Sequence, residues 1–255
     1  MVFGEAGVES NVEKVIMALQ GEARSADAGD QWAERLRGPV VDALLDLNPP
    51  GLTLHVRDAP VRDSLMTLTT LDPPVQAFVT IWTQQHYGEQ IQAALEVLSA
   101  EADRMAAYLV TESVPLPPPA SLPGQRTPGL ANIALLRRPA DLAEPAWRTH
   151  WLRDHTPVAI ATQSTFGYVQ NYVVHPLTSD APPVAAIVEE LFPIEAVGSL
   201  QAFFGAADDE DLKDRMGRMV DSVAAFGANV DIDTVPTSRY VFRDPFGEGI
   251  PGPRP

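Results

Sequence analysis

Six of the fifteen residues from Pro115 to Gly129 are prolines, at 115, 117, 118, 119, 123 and 128. Proline fixes its own φ and has no N–H to give a helix interior or a sheet ladder. This stretch therefore reads as a stiff, extended linker without a core of its own. It splits the 255 residues into two parts of about 120 each, long enough for a core apiece. The expected organisation is a half over 12–115, a linker over 116–129, a second half over 130–246 and a flexible Gly/Pro-rich tail over 247–255. Residues 1–11 are expected to fray.

The two parts carry the same order of elements. In the first, Val15 to Leu19 is an apolar strand, and Asp30 caps a helix with Trp32, Leu36 and Val40 on one face, interrupted at Pro39. Leu52 to Arg57 alternates strictly, with Leu52, Leu54 and Val56 facing one way and Thr53, His55 and Arg57 the other. Ser64 to Leu71 is either a strand or a loop with extended pieces. Val75 to Trp82 is a strand, Ile91, Leu95, Leu98, Ala102 and Met105 mark an amphipathic helix, and Tyr108 to Val114 closes the half.

In the second part the strands are Ala131–Leu136, Tyr168–Val174, Val184–Phe192 and Arg239–Arg243, with helices from Glu144 to about Ala161 and around Leu212, Met216, Met219 and Val223. Asp72-Pro73-Pro74-Val75 lies over Ala181-Pro182-Pro183-Val184, Gly51–His55 over Gly167–Asn171, and Ala107–Val110 over Arg239–Phe242. Each half reads β-α-β-β-α-β, the ferredoxin-like order. Such a sheet carries helices on one face only, so its other face must be buried. The expected fold class is α+β: two ferredoxin-like halves packed sheet to sheet as a pseudo-dimeric α+β barrel within one chain. An open barrel would leave strand edges through which a homodimer could form.

The densest chemistry lies between Trp147 and Tyr172. Trp147, Trp151, His155 and Val158 share one helical face, which puts an imidazole on a Trp-rich stripe. Pro157 disfavours α geometry at Thr156. Arg137-Arg138-Pro139 ends an apolar strand, Trp151-x-x-x-His155-x-Pro157 follows, then Tyr168-Val169-Gln170-Asn171 and Glu190-Leu191-Phe192. In this order the pieces resemble the EthD family, small dimeric α+β barrel proteins of ferredoxin-like fold, over about half of the chain, residues ~130–245. The resemblance implies cofactor-free chemistry on hydrophobic aromatic or polyketide-type molecules. It implies His155 as a proton shuttle, with Asn171 and a glutamate orienting a carbonyl or hydroxyl. The first half has Arg37 or Gly38 where His155 would stand, so only the second half would be a working site.

Strand parity places the mixed face inside the barrel: Thr53, His55 and Arg57 from one half, and Val169, Asn171, Val173 and His175 from the other. Glu189 and Glu190 point to opposite faces. The resemblance favours Glu190 as the one in the cavity, while periodicity leaves both open. His55, Trp151, Tyr168, Glu189 and His175 are the further candidates for substrate contact. For each there is a plainer alternative: His155 as a helix-end histidine bonded to a carbonyl, His55 as a polar lining residue, Trp151 and Tyr168 as packing.

Composition excludes several classes. A formal charge of −16 opposes nucleic acid and anionic membranes. The chain has no cysteine, so thiolate metal sites and a Cys nucleophile are out. His150 and His155 diverge by about 140° around a helix and cannot chelate a metal together. No glycine-rich nucleotide loop and no Gly-x-Ser-x-Gly elbow occurs. No metal and no cofactor is expected. There is no signal-peptide pattern and no apolar run approaching ~18 residues, so a soluble, cytoplasmic protein is expected. The functional expectation is a cofactor-independent lyase-type enzyme (dehydratase, decarboxylase or cyclase) for a small hydrophobic oxygenated or aromatic/polyketide-like molecule. The alternative is a non-catalytic small-ligand-binding or accessory protein of a catabolic pathway.

Overall fold

Alternation along eight strands produces a sheet that closes on itself. The computed structural model describes residues 12–22 and 25–246, so the expectations for residues 1–11 and for the 247–255 tail lie outside the described residues. The strands are β1 (Glu13–Gln20), β2 (Gly51–Val56), β3 (Val75–Thr83), β4 (Arg104–Leu116), β5 (Leu130–Leu136), β6 (Gly167–Pro176), β7 (Ala186–Phe192) and β8 (Asp233–Arg243). Their hydrogen-bonded order is β1-β3-β2-β8-β5-β7-β6-β4, closed by β4 against β1, and every pairing is antiparallel. The fold is thus an antiparallel eight-stranded α+β barrel. In this closed order each strand has a strand on either side for part of its length, so the barrel has no terminal edge strand.

The helices lie outside. α1 (Ala26–Arg35), α2 (Val41–Asp46) and α3 (Glu89–Ser99) cover β1 to β4. There Trp32, Leu36, Leu44, Ile91 and Leu98 pack on Val15, Met17, Leu19, Leu52, Leu54 and Val56. α4 (Glu144–Thr149), α5 (Thr156–Thr162), α6 (Leu200–Phe204) and α7 (Asp209–Ala224) lie with β5 to β8. Here Trp147, Trp151, Tyr168, Val188 and Phe226 form the packed layer. A third apolar cluster fills the barrel itself: Ile16, Phe78, Tyr108, Ile133, Val173, Ile187 and Val235, drawn from seven strands.

Several elements differ from the sequence reading, each for a local reason. Thr156 is helical after all (φ −53, ψ −47), because residues His150–His155 widen into a π-helical turn before α5. The Thr156 hydroxyl donates to the Trp151 carbonyl at 3.0 Å. The helix thus carries Pro157 in the first turn of α5, where a missing N–H costs nothing. In the first half the break falls at Gly38, whose φ −107 and ψ −108 leave the helix just before Pro39. Of the two readings open for Ser64–Leu71 the loop is the one found: it meets β8 through the Leu68–Thr234 bridge and through hydrogen bonds from the Thr70 and Leu71 N–H groups to the Asp233 carboxylate.

β8 starts at Asp233, six residues before the expected start at Arg239, and includes Pro236. It pairs with β5 over residues 233–237 and with β2 over 238–243, so at Pro236 only β5 lies alongside as a strand. That is an edge-like position, where a missing N–H is tolerated. The proline-rich linker runs along the other side of β8: Gly124 and Thr127 donate their N–H groups to the Val241 and Arg239 carbonyls at 2.7 and 2.8 Å.

The β2–β8 seam is tied by a buried carboxylate just after β2. Asp58, 3% exposed, accepts from Ser238 Oγ at 2.6 Å, from the Tyr240 hydroxyl at 2.9 Å and from Arg37 Nη1 at 3.2 Å. Removing it strands one cation and two hydroxyls around a hole. Asp58→Ala should therefore lose about 3 kcal/mol, and Asp58→Asn less. Chemical denaturation midpoints measured at constant slope would check both.

Candidate functional site inside the barrel

The interior has a charged layer within its apolar filling. Lys14 and Ile16 (β1), His55 (β2), Phe78 and Thr80 (β3), Ile133 (β5), Asn171 (β6), and Ile187 and Glu189 (β7) line a cavity of about 10 Å³, room for roughly one water molecule. The positions follow from register. Ile16 faces Thr80 across β1–β3, as Ile133 faces Glu189 across β5–β7. His55 lies between Phe78 and Arg239, as Asn171 lies between Ile187 and Glu112. Corresponding places therefore hold His55 and Asn171, Thr80 and Glu189, Glu112 and Arg239. The same pairings put Tyr108 opposite Ile16 and Val235 opposite Ile133. Tyr108 thus corresponds to Val235, not to Tyr240 as the matching of Ala107–Val110 with Arg239–Phe242 implied.

Glu189 is the electrostatic centre. Burial alone would raise its pKa. His55 and Arg239, with Lys14 behind them, override that and hold it well below the usual carboxylate range. Its Oε1 is 3.2 Å from His55 Nε2 and 2.7 Å from Arg239 Nε. These are ion-pair distances, but the groups are not aligned as hydrogen bonds, so His55 Nε2, Glu189 Oε1 and Arg239 Nε all keep unspent hydrogen-bonding capacity. Asn171 Nδ2 donates to the Ile187 carbonyl at 3.0 Å, while its Oδ1 is buried and unpartnered. Lys14 is ion-paired with Glu112, and its Nζ lies 4.8 Å from the centre of the Trp82 ring. The Glu112 side chain is 22% exposed against 7% for Lys14, so this pair stands at the side of the layer nearest solvent.

Not every expected site residue reaches this layer. Asn171, His55 and Glu189 do. Glu190 faces the helices, opposite Asn132 and Tyr168, with the Gln163 side-chain amide 3.0 Å from its Oε1, a hydrogen bond when that amide is turned to bring its nitrogen to the carboxyl group. Glu189, the neighbour that the resemblance did not favour, is the one inside. His155 also lies in the helical layer, its Nδ1 3.0 Å from Ser222 Oγ and its ring 4.9 Å from that of Phe226. Trp151 and Tyr168 are buried in the same layer. His155, Asn171 and Glu190 are therefore not brought together: a strand of the sheet separates the first and last from the second.

His175 leaves the interior through a bulge. Val173 pairs with Val110 and His175 with Leu109, so Val174 is the extra residue and the parity flips. Its ring meets His86, 5.3 Å between centroids, beside Glu13. Arg239 and Lys14 were missed as site residues. Parity from a β8 beginning at Asp233, and the −2 step from Ile16, would have placed both inside.

Among the described residues no group of three or more His, Cys, Asp or Glu is placed to hold a metal ion, and no helix is long and apolar enough to cross a membrane. No protein-family profile matches the sequence, and no curated protein matches it. Solved structures do. An anthrone oxidase-like protein is similar over 95% of this chain and 98% of its own, with TM-score 0.52 and 11% identity. A chlorite dismutase variant from Candidatus Nitrospira defluvii covers 91% of this chain and 92% of its own at TM-score 0.43 and 12% identity. Fold and interior define an antiparallel eight-stranded α+β barrel protein. The first neighbour shares that fold over nearly the full length of both chains.

Two titratable groups in the helical layer give a pH signature. Burial pushes Glu190 up from 4.5 to about 8, Asn132 pulling weakly the other way. Its neutral form thus supports the fold fully below about pH 4.5, and that support is lost as pH rises toward about 8. Burial pushes His155 down from 6.5 to about 4, so its contribution is whole above pH 6.5 and lost as pH falls toward 4. Glu190→Gln should match the parent near pH 4 and be more stable at pH 8, by on the order of a few kcal/mol. His155→Gln should flatten the acid side. Melting temperatures from pH 4 to 9 read both effects.

Proposed function

We propose that the barrel interior is the working site and that it carries out cofactor-independent proton transfer of the lyase type. The substrate class is a small hydrophobic molecule, oxygenated or aromatic/polyketide-like. The observation that carries this reading is the pairing of His55 with Glu189, itself ion-paired with Arg239, at a cavity whose other walls are Ile16, Phe78, Ile133 and Ile187 with Lys14, Thr80 and Asn171. His55 is the proton-transfer group. Glu189, held ionised by Arg239, orients its ring and stabilises it when it gains a proton. Asn171, whose buried Oδ1 is unpartnered, is the group for a hydroxyl of the substrate. Lys14 stands ready for an oxygen that becomes anionic. His155 is the weaker candidate, because a pKa near 4 leaves it a poor base and a scarce acid at neutral pH.

A molecule larger than water must displace part of the wall, and the Lys14–Glu112 pair beside Trp82 is the part nearest solvent. The same lining supports a second reading, a non-catalytic small-ligand-binding protein, and the free volume of about 10 Å³ requires the wall to move under either. The two separate in solvent-deuterium exchange into activated C–H bonds of β-hydroxy and β-keto aromatic compounds, followed by NMR. Proton-transfer chemistry predicts exchange that His55→Gln slows by ~10²–10⁴-fold and His155→Gln leaves near the parent rate. Loss in His155→Gln with retention in His55→Gln would sink the assignment. Saturable binding with no exchange in any form would leave the carrier.

We also infer that residues 12–115 and 130–246 are two ferredoxin-like halves joined by 116–129, each burying the open sheet face of the other. Support comes from the strand orders β4-β1-β3-β2 and β8-β5-β7-β6, which are the same order within each half, and from the matching registers. Residues 130–246 expressed alone should aggregate or self-associate. A stable monomer, seen by sedimentation, would count against mutual burial.

A further inference from the structure

Outside the barrel, where β5 ends, lies a concavity of about 400 Å³ lined by Arg137, Arg138, Pro139, Ala140, Gly227, Val230 and Asp231. That volume is in the range of small-molecule sites, unlike the barrel cavity. Its floor is fixed. Gly227 has φ +78, and a Cβ there would fall 2.2 Å from Pro139 Cγ, so the turn after α7 packs directly on the proline ring. Its walls include Pro139 and Ala140, and Val230 stands at the rim, 67% exposed.

The charges on this surface are unequal in their partners. Arg137 is neutralised by a carboxylate: its Nη2 lies at ion-pair distance, 2.7 Å, from Asp233 Oδ2, and its Nη1 donates to the Asp231 carbonyl at 2.9 Å. Asp231 is engaged as well, 3.7 Å from Arg137 Nε and accepting from Thr70 Oγ1 at 3.2 Å. Arg138 differs. Its Nη1 donates to the main-chain carbonyls of Pro139, at 3.3 Å, and Leu142. No carboxylate lies within ion-pair distance of it among the described residues, although Glu144 feels its charge from farther off. Among the described residues Arg57, Arg126, Arg153 and Arg243 also lack a carboxylate at ion-pair distance, but of these five arginines Arg138 is the one that lines this apolar-walled hollow. Nη1 is used and Nε and Nη2 are not, which leaves the side-on fork that matches a carboxylate.

We propose that this hollow binds a small monocarboxylate with an apolar body, its carboxylate on Arg138 and its body against Pro139, Ala140 and Val230. Benzoate and its neutral counterpart benzamide are the probes, titrated into the full chain at low salt with NMR detection. Benzoate should bind saturably, benzamide about tenfold more weakly or worse, and Arg138→Gln should weaken benzoate by about tenfold. Val230→Glu, which sets a carboxylate on the rim, should weaken it as well, while Arg153→Gln, an exposed arginine elsewhere, should not. Three results would overturn the site: no saturable benzoate binding, equal loss in Arg153→Gln, or inorganic phosphate binding as tightly as benzoate. The last would mean a charge patch that does not recognise the body.

Discussion

Closure of the sheet is the constraint on which the rest depends. A four-stranded sheet covered by helices on one face leaves the other wet. Here the β2–β8 and β6–β4 pairings help close eight strands into one barrel, whose inner face is turned away from solvent. Once closed, the interior must be filled or its polar groups satisfied, because water is largely excluded. Isoleucine, phenylalanine and valine fill most of it. The exceptions include Lys14, His55, Thr80, Glu112, Asn171, Glu189 and Arg239, and the buried Glu189 carboxylate is tolerable there only because two cations and an imidazole surround it.

The two sides of the interior are related in place but not in chemistry. His55, Glu189 and Arg239 occupy the positions that Asn171, Thr80 and Glu112 occupy on the other side. One side thus concentrates an acid–base pair with its counter-charge, and the other offers an amide, a hydroxyl and a lysine-bound carboxylate. A cavity with two dissimilar walls can orient an unsymmetrical ligand, which a barrel closed from two identical subunits achieves only when the ligand breaks the symmetry.

The helical layer behind β5 to β8 holds a different kind of polar group. Glu190, Tyr168, Gln170 and Thr156 are all buried there, and Gln170 Nε2 donates to Thr156 Oγ1 at 2.7 Å. His155, Tyr168 and Glu190 in that layer are all driven toward their neutral forms, which is how burial without a counter-charge is accommodated. The contrast with Glu189, one residue away and fully ionised, comes from strand pleat alone: neighbours on one strand meet opposite environments.

Local pattern was enough to read the alternating strands, the two Pro-Pro breaks and the existence of the amphipathic helices, because each depends on periodicity or on proline geometry within a few residues; the helix marked as far as Met105 ends at Ser99, and Met105 belongs to β4. His55 and Asn171 were legible as inward-facing by parity on regular strands. What needed the tertiary structure were the events that shift parity or pair distant strands. The bulge at Val174 turns His175 outward. The π-helical turn carries His155 past a proline. The register of β7 against β5 and β6 sends Glu189 inward and Glu190 outward. The early start of β8 brings Arg239 beside His55. Sequence period tells which residues share a face; only closure of the barrel decides which face is the inside and which residues from opposite ends of the chain meet there.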